Sequence, residues 1–122
     1  MRARSAILAS SAVLLCAGCG PPPPQAPTAQ ANRVASAITG IAEACGESYQ
    51  SRALPGVHPR DASIEAQAAS RALELARVYV QNPGWIYQGE TLQQVVALSV
   101  HYLRACGLGS AADLLVRRAR RP

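Results

Sequence analysis

Residues 61–80 read DASIEAQAASRALELARVYV, and the fold turns on this stretch. Ile64, Ala68, Ala72, Leu75 and Tyr79 recur at intervals of three and four, the period of one helix face. Leu73, Ala76 and Val80 widen that apolar arc to nearly half the circumference. Gln67, Ser70, Arg71, Glu74, Arg77 and Gln81 share the narrow polar side, with Glu74 three residues from each Arg. Asp61 is the expected N-cap, and Glu65 follows where the helix dipole favours a negative charge. An arc this wide predicts the central, best-buried helix of an all-α bundle. Leu54-Pro-Gly-Val-His-Pro59 on one side and Asn82-Pro83-Gly84 on the other break the helix, because proline and glycine interrupt the backbone ladder.

Upstream, Val34, Ile38, Ile41, Cys45 and Tyr49 mark the apolar stripe of a first helix with Asn32 as its N-cap. Arg33, Ser36, Thr39, Glu43, Glu47 and Gln50 fall on its other side. Downstream, a third helix is expected from Thr91 to Cys106. Thr91 with Gln94 fits a capping box, and Gly107 suits the C′ position. Leu92, Val95, Val96, Ser99, Leu103 and Cys106 line its inner face. Ser110 with Asp113 starts a last short helix through Leu114 and Leu115. The expectation for residues 30–122 is a small all-α bundle of three main helices plus a short C-terminal fourth. Trp85, four Tyr and no Phe leave alanine, leucine and valine to form the core, which favours close-packed helices over a sheet.

The N-terminus has a different composition. Met-Arg-Ala-Arg precedes Ser5 to Ala17, which carries no charge, and Gly18-Cys19 follows. A basic start and a short apolar run form the pattern of a secretory signal, and the run falls short of the roughly 20 residues a spanning helix needs. The ending Leu15-Cys16-Ala17-Gly18-Cys19 resembles the bacterial lipobox. Ala17, Gly18 and Cys19 match that pattern, while Cys16 stands where Leu is commonest and Leu15 is one place early. The resemblance implies that residues 1–18 are removed and that Cys19, joined to diacylglycerol, becomes the first residue of the mature chain. An ordinary cleaved signal and a buried N-terminal helix are the weaker alternatives. Two or three acyl chains would anchor the protein firmly, since one alone binds only marginally. Gly20, where Asp would favour retention in the inner membrane, points to an outer membrane facing the periplasm. Residues 19–29 follow as the lipidated Cys and a proline-rich tether, and Gly20–Thr28 is expected to be an extended spacer.

Cys45 and Cys106 then remain as an even pair in an oxidising compartment. Each lies on an apolar stripe near the end of its helix and is followed by Gly. In an up-down-up bundle helices one and three run parallel, so both ends share a pole and a disulfide is expected.

All twelve basic residues are Arg, which with the alanine content reflects a GC-rich genome rather than a function. Without Arg2 and Arg4 the chain keeps ten Arg against seven acids, and four of the ten are Arg117, Arg118, Arg120 and Arg121. This patch either complements the dipole of its helix or meets anionic headgroups or an acidic partner. Trp85 and Tyr87, in the turn Pro83–Gly89, either close the end of the bundle or anchor a partner. Closure is the preferred expectation, because the bundle has few large side chains to cover its ends. His58 and His101 have no second ligand at metal spacing, and Glu43 with Glu47 forms a solvated pair rather than an acid-base site. No Ser-His-Asp set, phosphate loop or nucleotide motif is present.

These residues predict no enzyme, metal, cofactor, nucleic-acid partner or small-molecule substrate. The expected function is a membrane-anchored binding or accessory protein for an envelope partner. Its alternatives are a structural envelope lipoprotein without a specific partner and a pilotin-like secretion accessory, the latter by analogy of size and architecture alone.

Overall fold

A computed structural model describes residues 24–53 and 61–120 of the chain, with residues 51–53 and Asp61 described by backbone alone. Among the described residues four helices form an all-α bundle: α1 (Thr28–Ala53), α2 (Asp61–Tyr79), α3 (Leu92–Ala105) and α4 (Gly109–Ala119). The breaker Leu54–Pro59 and His58 lie outside the described residues. A two-stranded ribbon, β1 (Ile86–Tyr87) with β2 (Glu90–Thr91), stands between α2 and α3.

Helix α2 is the centre, as its wide apolar arc predicts. Ile64, Ala68, Ala72, Leu75, Ala76 and Val78 are all buried, with α1 packed on one side and α4 on another. The arc differs in detail, since Val80 at its end is exposed and Val78 is buried instead. Glu74 pairs with Arg71 at 3.2 Å, and Arg71 reaches across α1 to donate to Ser36 Oγ. The α1 residue beneath that arm is Gly40, where a Cβ would meet the Arg71 stem.

The buried face of α1 differs from its predicted stripe. Val34, Ile41 and Cys45 are buried as expected, but so are Ala37, Gly40 and Ala44, while Ile38 is half-buried and Tyr49 is exposed. At 100° per residue the buried arc is turned by roughly 60° toward the small residues. These small side chains let α2 approach closely, and the contact with α2 sets the rotation. Asn32 is not the N-cap. The helix begins at Thr28, and the Pro27 carbonyl accepts the first bond from the Ala31 amide at 2.8 Å. Proline limits the helix there because its ring disfavours helical geometry at the preceding residue, Ala26. Helix α2 opens at Asp61.

The start of α3 matches its prediction. Thr91 is the N-cap: the Gln94 amide donates to Thr91 Oγ1 at 3.2 Å, and the Thr91 amide donates to Gln94 Oε1 at 2.8 Å. The amides of Leu92 and Gln93 donate to the carbonyls of Trp85 and Pro83, so the loop satisfies the rest of that turn. At the other end Cys106 is the C-cap and Gly107 takes φ +84°. The Leu108 amide donates to the Leu103 carbonyl and that of Gly107 to Arg104, the paired bonds of a Schellman turn. Helix α4 therefore follows almost at once. Its N-cap is Leu108, so Ser110 and Asp113 form no capping pair there. Asp113 instead meets Arg104 of α3 at 3.1 Å.

The Gln88-Gly89 turn of the ribbon has positive φ at both residues, the geometry of a two-residue hairpin that follows strand twist. The end of the expected tether is not a free spacer. The Ile86 amide donates to the Pro24 carbonyl at 3.0 Å, and the Ala26 amide donates to the Ile86 carbonyl at 2.9 Å. Residues 24–26 thus lie beside β1 as a parallel neighbour, and Thr28 and Ala29 are already helical.

Candidate functional site

Helices α1 and α3 are joined by the Cys45–Cys106 disulfide, with a Cα–Cα distance of 5.5 Å. The Ser48 hydroxyl adds a bond to the Cys106 carbonyl at 3.0 Å. Away from that staple the two helices make little contact, because each turns its closest-packed face elsewhere, α1 to α2 and α3 to α4. A groove is left between them. It consists of two open depressions, of about 480 Å³ and about 500 Å³, that share Tyr102.

The first depression is floored by Ile38 and Val95 and walled by Leu98 and Tyr102, with the ribbon residues Tyr87 and Glu90 closing one end. The second lies over the disulfide, between Tyr49 and Tyr102. Tyr49 is 70 %, Leu98 57 % and Tyr102 50 % exposed, so the two depressions present apolar and aromatic side chains to water, with Tyr102 common to both. His101 and Gln88 stand on the rim of the first depression and Gln50 on that of the second. Among the described residues, no three or more His, Cys, Asp or Glu side chains converge to hold a metal.

The residues singled out from sequence are dispersed. Cys19 and Arg121 lie outside the described residues. Tyr87 is half-buried and lines the groove. Trp85 is half-buried and packs against the core at the ribbon end, with its amide donating to the Asn82 carbonyl. Arg117, Arg118 and Arg120 are exposed at the end of α4, away from the groove lining. Sequence reasoning missed Leu98 and Tyr102 and assigned Tyr49 to the core. The signal was an apolar i, i+4 pair, Leu98 and Tyr102, that extends the arc of α3 to one side of its inner stripe.

The packing of Trp85 has a measurable consequence. Trp85→Ala is expected to destabilise the domain by about 2 kcal/mol, below the cost of a fully buried Trp because the residue is half-buried. Chemical denaturation would register this as a lower midpoint at an unchanged slope. A midpoint equal to that of the parent would show that the ring contributes nothing to the bundle.

Compared with known protein families, with curated proteins and with solved structures, the chain gives no match.

Proposed function

We propose that the chain is the precursor of a lipoprotein of the bacterial envelope, anchored through Cys19 to a membrane facing the periplasm. Its folded domain would be a non-enzymatic adaptor that holds an apolar segment of an envelope protein in the groove between α1 and α3. The observation that carries this reading is the exposure of Tyr49, Leu98 and Tyr102 along one groove of an otherwise well-packed bundle. Aromatic side chains at the centre of a concave surface dominate binding energy, because they bury much area with few rotors to fix. The acid on the ribbon end of the rim is Glu90, which favours a segment with a basic residue there. The disulfide supports an oxidising compartment.

The test is a photo-crosslinking amino acid placed at Leu98 in intact envelopes. A single discrete adduct is expected, with the linked peptide an apolar stretch of another envelope protein. The same probe at Arg117 on α4 should give none. Tyr102→Ala should abolish the adduct while changing stability by under about 0.5 kcal/mol, as for an exposed side chain outside the core. Equal labelling from Leu98 and Arg117, or no adduct from either, would remove the groove from the function.

A further inference from the structure

We propose that the ribbon end of the bundle rests on the bilayer, so that the domain stands upright with its groove leading away from the membrane. This rests on the lipidated Cys19 proposed above. The first support is the clamp. Pro24 and Ala26 are bonded through their backbone to Ile86, so the chain is tied to the ribbon before α1 begins. Between Cys19 and the clamped Pro24 the chain has five residue steps. Five Cα–Cα steps of 3.80 Å limit its reach to at most about 19 Å, whatever conformation it takes. The spacer Gly20–Thr28 expected from sequence would have allowed the domain to tumble well clear of the surface, and the clamp removes that freedom.

The second support is what the clamp brings to the surface. Trp85 and Tyr87 flank the clamped Ile86, and both are half-buried. Rings of this kind, apolar in body and polar at one tip, settle at the level of lipid headgroups.

Charge points the same way. Arg33, in the second turn of α1, and Arg77, in the last turn of α2, are exposed at the ribbon end. Glu43 and Glu47 lie further along α1 and Glu65 near the start of α2, all toward the opposite end. Glu90 at the ribbon and Glu74, which is paired with Arg71, are the acids toward the ribbon end, and Arg104, paired with Asp113, is a cation at the other. Helix α4 leaves the disulfide end through a tight turn and packs along α2, which carries Arg117, Arg118 and Arg120 back from that end. Counted with the arginines of α4, positive charge is in excess toward the ribbon end, so an anionic surface favours that end over the other.

Trp85 is the single Trp of the chain, which makes the orientation measurable. The lipidated protein, purified from membranes, is returned to vesicles of phosphatidylethanolamine and phosphatidylglycerol, a fraction of them bearing a headgroup nitroxide. Trp85 should lose about half its emission, as a ring at headgroup depth would. A second variant, Trp85→Phe with Tyr49→Trp, moves the probe about 30 Å along α1 and should lose almost none. Inserting about twenty Gly and Ser residues after Gly20 should restore Trp85 emission while the protein stays on the vesicles. Equal quenching at both positions would mean a domain lying flat, and no quenching at either would mean one held clear. Both results overturn the proposal while leaving the anchor intact. Failure of the parent protein to bind vesicles at all would overturn the anchor and the orientation together.

Discussion

Opening the Cys45–Cys106 bond is expected to lower the stability of the domain by roughly 4 kcal/mol, and its melting temperature by about 20 °C. The bond closes a loop with a sequence separation of 61, so it removes a large share of the entropy of the unfolded chain. Native proteins of this size are stable by only about 5–14 kcal/mol, so the loss is a substantial fraction of the total. The position of the bond adds to its weight. Helix α1 packs chiefly on α2, and α3 chiefly on α4, so the staple is the principal tie across the groove. Protein taken directly from the periplasm should show no free thiol by mass. Reduction should then lower the melting temperature and let a hydrophobic dye reach the core between the helices. Two titratable thiols in freshly isolated protein, or an unchanged melting temperature after reduction, would refute this expectation.

The largest effect on location is expected from Cys19→Ala. Each buried methylene of an acyl chain contributes about 0.8 kcal/mol, and two or more chains make release from a bilayer negligible. Among the described residues no helix is long and apolar enough to cross a membrane. Cys19→Ala should pass wholly from the membrane to the soluble fraction and lose labelling by a fatty-acid analogue. Its domain should fold normally, because position 19 precedes the clamp at Pro24, and an intact Cys45–Cys106 bond would verify this. A variant that stays on the membrane without label would sink the lipoprotein reading.

Local chemistry was legible where it acts within a few residues. The capping box of Thr91 and Gln94 and the C′ role of Gly107 are satisfied by neighbours in the chain, so spacing alone identifies them. The buried arc of α2 was legible for a related reason: with helices on both sides, most of its apolar residues are covered whichever way they turn. The pairing of Cys45 with Cys106 followed from helix direction and the position of each residue near the end of its apolar stripe.

The groove was not legible, because it depends on which neighbour each helix approaches most closely. Apolar periodicity weights the large side chains, and on that basis Ile38 and Tyr49 belong to the core. Close approach to α2 instead selects Ala37, Gly40 and Ala44, where two backbones can come together without a side chain between them. The rotation that follows leaves Ile38 half-buried and Tyr49 in water. The clamp of Pro24 and Ala26 on Ile86 was equally hidden. A backbone hydrogen bond between residues some 60 positions apart carries no side-chain signature, and a run of prolines has the composition of a spacer whether or not its end is bound. Sequence determined the helices, the caps of α3, the disulfide and the expectation of a lipid anchor, since each depends on residue type at short or fixed spacing. Tertiary structure decided which face of α1 meets water and that Pro24 and Ala26 are bound to the ribbon, because both are set by contacts between distant parts of the chain.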